Sequence, residues 1–217
     1  MAHARIIAFA MYNKKWIYLL VVMALLAAAL LPILLTGYSA IDRAEIEFAA
    51  QNYASAAQQY QYAALLLPWR GDLLEKAGIS AYAGGNYSDA INFLNHAPKL
   101  TEQGWIAMGH SYISINDLTS ALRVYQQGLQ FHDSAYLYAG LAYIYREQKD
   151  WLAERDALKN QLRLDPSNAN AHYRLGLLLT ILEPEQALSE LMVASSLNPE
   201  VDSAVQTLRA ALNLSAI

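Results

Sequence analysis

The sequence of 217 residues contains no cysteine. The chain therefore forms no disulfide bond, offers no thiolate nucleophile and builds no zinc site on sulfur ligands. The absence of cysteine does not identify the redox compartment, although it is compatible with an oxidising exterior.

The sequence also lacks the motifs of common enzymes. It has no Gly-rich phosphate loop, no HExxH pair and no nucleophile elbow. Its five histidines are scattered without the spacing of metal ligands: His3, His96, His110, His132 and His172. We therefore expect no catalytic residue, no metal site and no cofactor, and an enzyme is the least favoured class of function.

Charged residues are absent from a long segment near the N-terminus. Residues Trp16 to Leu35 form an unbroken apolar run, which at a rise of about 1.5 Å per residue spans about 30 Å, the thickness of a bilayer core. We predict a transmembrane helix over 16–36, preceded by a short tail of residues 1–15. The aromatic residues expected at the two membrane interfaces are Trp16, Tyr18 and Tyr38.

Two other interpretations of this segment remain open. A secretory signal peptide also joins a basic start to an apolar core, and Gly37-Tyr38-Ser39 offers a cleavage site. The core of a signal peptide is usually shorter, at about 7 to 15 residues. A buried helix of a soluble protein is less favoured, because such helices rarely lack a polar face over this length.

Charge on the two sides of the segment predicts its orientation. Three bases and no acid precede it, namely Arg5, Lys14 and Lys15. The acids that follow soon after it are Asp42, Glu45 and Glu47. The positive-inside rule therefore predicts a single-pass protein of the cytoplasmic (inner) membrane, with its N-terminus inside and the chain after about Thr36 outside. All nineteen acids but only twelve of the fifteen bases follow the span, and the resulting formal charge of −7 argues against nucleic acid as a partner.

Helical periodicity dominates the rest of the chain. From Trp105 to Leu129, apolar or small residues recur at three- and four-residue spacing in two runs. The polar stretch between the runs, Ile115 to Leu118, predicts a tight turn in which Asn116 or Asp117 caps the second helix. The segment is therefore a predicted helical hairpin, which needs neighbours of its own kind to bury both faces.

The same pattern recurs along the chain. A small residue in the second helix is followed four positions later by an aromatic residue or Leu, and it recurs at Ala56, Ala90, Ala121 and Ala187. The first helices carry an apolar residue followed by a small one, which permits two helices to cross closely. These pairs are Ala77-Gly78, Met108-Gly109, Leu141-Ala142 and Leu175-Gly176. Five hairpins fit between Gly37 and Val201.

At these positions the sequence resembles the tetratricopeptide repeat family, in which about 34 residues form each antiparallel helix pair. The family pattern is matched best by Trp105, Met108-Gly109, Tyr112, Ala121, Tyr125 and Gly128. The fourth unit departs from it, with Glu154 in place of a small residue. The resemblance implies an all-α fold, in which the transmembrane helix precedes an α-solenoid of about five helical hairpins over 37–201 and a capping helix over 202–217.

The resemblance also implies a concave groove lined by the first helices. Its expected protein-binding residues are Ile79, Tyr82, Ile106, His110, Ile113, Tyr136, Tyr143, Arg146, Tyr173 and Leu177. The groove is expected to be aromatic and aliphatic, with acid from Asp72 and Glu75 at its membrane-proximal end. Some family members grip carboxyl termini with Lys, Arg and Asn on this face, but here those positions hold Glu75, Ile79, Ile106, His110 and Ala139.

The expected partner is therefore a protein or peptide with apolar side chains. Some of the groove aromatics would equally serve to pack adjacent hairpins. The favoured function is that of a membrane-anchored scaffold or adaptor, and in layout the chain resembles bacterial single-span tetratricopeptide proteins that accompany the protein-export channel. The alternative is a permanent subunit of a membrane complex, in which small residues of the span permit close helix approach: Ala24, Ala27, Ala28 and Ala29.

Overall fold

The chain folds into a stack of helical hairpins. The computed structural model describes the backbone of residues 2–180 and 183–212, and within these ranges the side chains from Trp16 onward. The described residues form eleven α-helices and no strand: α1 Ala2–Ala49, α2 Tyr53–Leu66, α3 Asp72–Ala83, α4 Tyr87–His96, α5 Glu102–Ser114, α6 Leu118–Leu129, α7 Ala135–Glu147, α8 Trp151–Leu164, α9 Ala169–Leu179, α10 Pro184–Leu197 and α11 Asp202–Ala211. Successive pairs from α1/α2 to α9/α10 are the five hairpins, which confirms the predicted all-α solenoid.

Helix α1 is continuous from Ala2 to Ala49. The predicted span and the first helix of the first hairpin are therefore one helix. The stretch Trp16–Ala49 is long and apolar enough to cross a membrane, and its most apolar window has a mean hydropathy of 2.8 with none of it buried. Burial begins at Gly37, where α1 reaches α2.

Small residues allow the two helices of a hairpin to approach closely, as predicted. A Cβ atom on Gly78 would lie 2.5 Å from Leu94 Cγ, and one on Gly176 would lie 2.7 Å from Leu191 Cγ. In the third hairpin the ring of Tyr125 fills the space in front of Gly109. The same ring also fills the space in front of Gly140 on α7, so one side chain packs against two neighbouring first helices.

The hairpin turns share a backbone feature that composition does not reveal. The first four turns each contain one residue in the left-handed region: Gln51, Gly85, Asn116 and Lys149, with φ of 63°, 76°, 63° and 60°. Only one of these is glycine, although the conformation costs other residues about 1 kcal/mol or more. In the third turn the next residue, Asp117, caps α6 by accepting a hydrogen bond from Ser120 N at 3.0 Å, as one of the two predicted caps.

Acidic side chains join successive first helices. Glu75 Oε1 on α3 accepts hydrogen bonds from the backbone N–H of Thr101 at 2.6 Å and from its hydroxyl at 2.7 Å, at the start of α5. Glu102 on α5 accepts one from the hydroxyl of Ser134, the N-cap of α7. An acid of one hairpin thus stabilises the helix N-terminus of the next, where unpaired N–H groups and the helix dipole favour negative charge.

Glu154, which departs from the repeat pattern, has its partner in the following hairpin. Its side chain is buried in α8, and Oε1 accepts hydrogen bonds from Arg174 on α9, from Nε at 3.1 Å and from Nη2 at 2.7 Å. A buried carboxylate requires such a pairing. Arg174 therefore compensates for the buried negative charge that Glu154 introduces at this position.

The last helix covers the end of the stack. Val205 of α11 is buried, and Leu208 packs against the core cluster that contains Leu175 and Ala187. The described part of the predicted cap over 202–217 is thus a helix packed on the fifth hairpin. Residues 213–217 of that prediction lie outside the described residues.

We expect Gly109→Ala to destabilise the protein, because its new methyl group would overlap the buried ring of Tyr125. Because the ring is fully buried, the overlap should cost about 3 kcal/mol, the upper end for an overpacked core, and the better helix propensity of Ala offsets about 1 kcal/mol of it. The free energy of unfolding should therefore fall by about 2 kcal/mol. Tyr125→Phe is the control. Among the described residues its hydroxyl is buried without a hydrogen-bond partner, so its loss should be neutral. Denaturant titration measures both, and a Gly109→Ala variant as stable as the parent would contradict the close crossing.

Candidate protein-binding groove

Five of the ten predicted groove residues surround one cavity. It lies between α5 and α7, has a volume of about 330 Å³, and has a floor formed by Ala139 and Gly140. The predicted residues around it are Ile106, His110, Ile113, Tyr136 and Tyr143. Tyr136 is 70% exposed although it is aromatic. The cavity is therefore an apolar recess with an uncovered aromatic side chain at its edge.

His110 links this cavity to the preceding hairpin and to the core. Its Nδ1 lies 2.9 Å from the hydroxyl of Tyr82 on α3, and its ring packs edge-on against Tyr125 at 6.2 Å. Burial lowers the pKa of His110, because the charged imidazolium would lose hydration there. Burial, and after it the nearby Tyr87, raises the pKa of Tyr82. Both side chains are thus neutral at neutral pH, which suits an apolar recess.

The next part of the groove is polar. A second cavity, of about 290 Å³, lies between α7, α8 and α9. Arg146, a predicted groove residue, lies beside it with its guanidinium 5.0 Å from the ring of Tyr143. The groove is therefore not aromatic and aliphatic throughout. Sequence reasoning missed the polar side chains that line this cavity: Glu154, Gln161, Asn168, Asn170 and Arg174.

Glu154 gives the polar cavity an unused hydrogen-bond acceptor. Its Oε1 accepts from Arg174, whereas Oε2 is buried and has no hydrogen-bond partner among the described residues. An atom of this kind accepts a hydrogen bond from a ligand at little further desolvation cost. The sequence signal for this feature was the acid at a position where the repeat pattern places a small residue.

The remaining predicted residues have different settings. Ile79 is half-buried and packs against the cluster of Leu94 and Met108, so it contributes more to hairpin packing than to an open surface. Tyr173 lines a third cavity, of about 390 Å³, with Asn170 and Asn198. Leu177 is half-buried on α9, outside the lining of these three cavities.

The acid expected at the membrane-proximal end of the groove is already engaged. Asp72 binds Arg70 through two hydrogen bonds of 2.8 Å, and this guanidinium lowers the pKa of Asp72. Glu75 is buried and accepts the hydrogen bonds of Thr101. The sequence indicated the positions of these acids, whereas their partners on other segments became evident only in the fold.

A further cavity lies outside the groove. Its volume is about 540 Å³ and its lining includes Leu94, Trp105 and His132. Trp105 stacks on Phe131 with the ring centroids 6.0 Å apart, and its indole nitrogen is buried without a hydrogen-bond partner among the described residues. Trp105 thus packs between hairpins, and it also lines a recess that the sequence did not indicate.

Solved structures of known proteins share the fold of this chain. No protein-family model matches this chain, and no curated protein does. A crystal structure of MamA superimposes with a TM-score of 0.67 at 16% identity, covering 84% of this chain and 98% of that one. YrrB, described as a TPR protein with an unusual peptide-binding site, gives a TM-score of 0.62 at 16% identity, covering 77% of this chain and 90% of YrrB. A chain of the Cut9–Hcn1 hetero-tetramer of the APC/C gives a TM-score of 0.58 at 20% identity, covering 79% of this chain and 36% of that one. The chain therefore has the fold of tetratricopeptide-repeat proteins.

We expect acid to weaken the fold through His110. Because burial holds the pKa of His110 below its usual value, the unfolded chain binds a proton that the folded chain does not as the pH falls below about 6.5. The free energy of unfolding should therefore decrease from about pH 7.5 to about pH 5.5, and His110→Gln should make that decrease smaller. Thermal melting across this range measures the effect, with the exposed His96→Gln as the matched control. An equal pH dependence in the parent and in His110→Gln would contradict the assignment.

Proposed function

We propose that this chain is a membrane-anchored scaffold or adaptor whose helical-repeat groove binds a protein or peptide partner. The segment of the partner that binds carries apolar side chains flanked by polar groups. The repeat domain lies outside the cytoplasmic membrane, in a bacterial envelope, and the chain itself performs no chemistry.

The apolar cavity between α5 and α7 is the observation that carries this proposal. Tyr136 and Tyr143 at its edge are exposed, whereas the ring of Tyr125 fills the space beneath it. Large, uncovered aromatic side chains over a recess are typical anchors of protein interfaces, because they bury much area at little cost in side-chain entropy. The polar cavity beside it offers two guanidinium groups and amide side chains for hydrogen bonds to a peptide backbone.

The structural neighbours support binding as the role of the groove. YrrB is described as having a peptide-binding site, and it shares the fold over 90% of its length. The likeness extends to the fold and not to identical residues. For this reason the proposal depends on the chemistry of the cavities in this chain.

Helix α1 supports the proposed anchor. We assign residues 1–15 to a cytoplasmic tail, 16–36 to the span, 37–201 to the repeat domain and 202–217 to the cap. Retention of the span is supported by Gly37, which lies buried against Leu67 inside a continuous helix. Cleavage at Gly37-Tyr38-Ser39 would remove Leu34, which packs on the first hairpin core. The distribution of charge around the span supports the proposed orientation.

A permanent subunit of a membrane complex is the second candidate. It is favoured by small residues in the span that would allow another helix to approach: Ala24, Ala27, Ala28 and Ala29. Stoichiometric partners that remain bound in detergent at high salt would favour this candidate. A free, monodisperse protein would favour the adaptor, whose membrane anchor raises the local concentration of a weak binding site.

We expect a photoreactive amino acid at Tyr136 to crosslink a partner protein in native membranes. Phe131 is the matched control, because it is aromatic, equally exposed at 69% compared with 70% for Tyr136, and lies beside the cavity outside the groove. Tyr136 should yield a discrete adduct that is lost on Ile106→Asp, since a charge in the apolar recess would block docking.

Crosslinking from Phe131 alone would indicate that the partner binds at the cavity outside the groove, and it would contradict the groove proposal. Equal crosslinking from both positions would contradict it as well. Circular dichroism of the Ile106→Asp variant checks that its helices remain folded, so that loss of the adduct reports on binding.

A further inference from the structure

We propose that the end of the first hairpin rests in the interfacial layer of the membrane, so that the hairpin adds a second lipid contact beside the span. We define the interfacial patch as Tyr38, Leu65 and Trp69. The lipid surface, with its mixture of headgroups and acyl-chain ends, is the partner that this patch fits. The inference deepens the proposed function and rests on α1 being a membrane anchor.

The packing of α2 on α1 determines how far the patch lies from the span. The two helices are antiparallel, with Leu67 Cγ 2.7 Å from the Cβ position of Gly37 at one end. At the other end the rings of Phe48 and Tyr53 are 5.2 Å apart. Leu65 is therefore level with about Ser39 of α1.

Trp69 lies closer to the span than Leu65 does. It belongs to the turn between α2 and α3 and follows Leu67, whose side chain packs against Gly37 of α1. Leu34 also packs against the first hairpin core, together with Leu66. The turn therefore lies beside the last residues of the apolar run, which ends at Leu35.

These positions fall within the polar layer of a bilayer. That layer is about 5–7 Å thick on each side, as the difference between a core of about 30 Å and a total of about 40–45 Å. Four residues of helix rise about 6 Å, so Leu65 lies within this layer when the core ends at Leu35. A helix tilt of about 20° moves a helix 8–10 Å away by only about 3 Å.

The side chains of the patch suit this location. Leu65 is 75% exposed and Trp69 is 61% exposed, whereas Leu67 between them is fully buried. Trp and Tyr are enriched at membrane interfaces, because their rings are apolar and their polar atoms remain hydrated. Large apolar groups of the hairpin therefore face outward at the level where lipid would cover them.

Charges around the patch do not oppose lipid contact. Arg70 next to Trp69 is held by Asp72 through two hydrogen bonds of 2.8 Å. The ring of Pro98 lies 3.1 Å from the Cβ position of Gly71, which brings the next inter-hairpin turn alongside. In that turn Lys99 is exposed and is suited to anionic headgroups.

The absence of cysteine makes the test direct. Single-cysteine variants of the full-length protein, Leu65→Cys and Trp69→Cys, are labelled with an environment-sensitive fluorophore and reconstituted in phosphatidylcholine–phosphatidylglycerol nanodiscs. The quenchers are lipids that carry a nitroxide near the headgroup. Ile46→Cys is the matched control, because Ile46 is 68% exposed on helix α1 of the same hairpin and lies about 16 Å beyond Leu35.

We expect blue-shifted, strongly quenched emission from labels at positions 65 and 69 and water-like, unquenched emission from position 46. Labels at 65 and 69 that behave like the label at 46 would overturn the inference. A blue shift without quenching would also overturn it, because a second copy of the protein, and not lipid, would then cover the patch. The helical circular dichroism signal of each variant is compared with that of the cysteine-free parent.

A fourth variant separates this inference from the proposed anchor. A label at Leu25→Cys lies in the middle of the apolar run and should be quenched by lipids that carry the nitroxide deep in the acyl chain. If this label is quenched while those at 65 and 69 are not, the interfacial contact alone is wrong. If it is not quenched, the anchor fails and the interfacial contact fails with it.

Discussion

The close packing of the Tyr125 ring between Gly109 and Gly140 is the contact on which the middle of the solenoid depends. The ring belongs to a second helix, yet it touches the first helices of two hairpins, and any Cβ on either glycine would hold those helices apart. Because α5 and α7 also form the walls of the apolar cavity, the same contact sets the width of the groove. Helix packing and the shape of the candidate groove are therefore coupled, with His110 lying between the Tyr125 ring and the groove.

Much of this architecture was predictable because it is written in local periodicity. Small residues at Gly78, Gly109 and Gly176 mark the helix crossings, and apolar residues at helical spacing mark the buried faces. The turn geometry was less accessible, since Gln51 and Lys149 adopt a left-handed conformation that their residue types do not favour. Their spacing agrees with the repeat, so the conformation is imposed by the closure of each hairpin and not by the turn residue.

The candidate groove was predictable as a set of positions but not as a set of environments. Helical geometry indicates that Ile106, His110 and Ile113 share a face, and the structure places them around one cavity. The polar half depends on pairs from different hairpins, such as Glu154 with Arg174, which are 20 residues apart, and no rule of local spacing connects them. Glu75 likewise has a partner that local spacing does not indicate, because its carboxylate accepts hydrogen bonds from Thr101 of the next hairpin.

Because helix α1 is uninterrupted, the number of residues in it determines the direction in which the groove faces. An α-helix advances by about 100° for each residue, so one residue inserted between the span and Gly37 would swing the whole solenoid by about that angle around the helix axis. A flexible tether would absorb such an insertion without effect. With the proposed membrane anchor, a single-residue length change would leave every side chain of the groove intact and aim the groove at a different neighbour in the membrane.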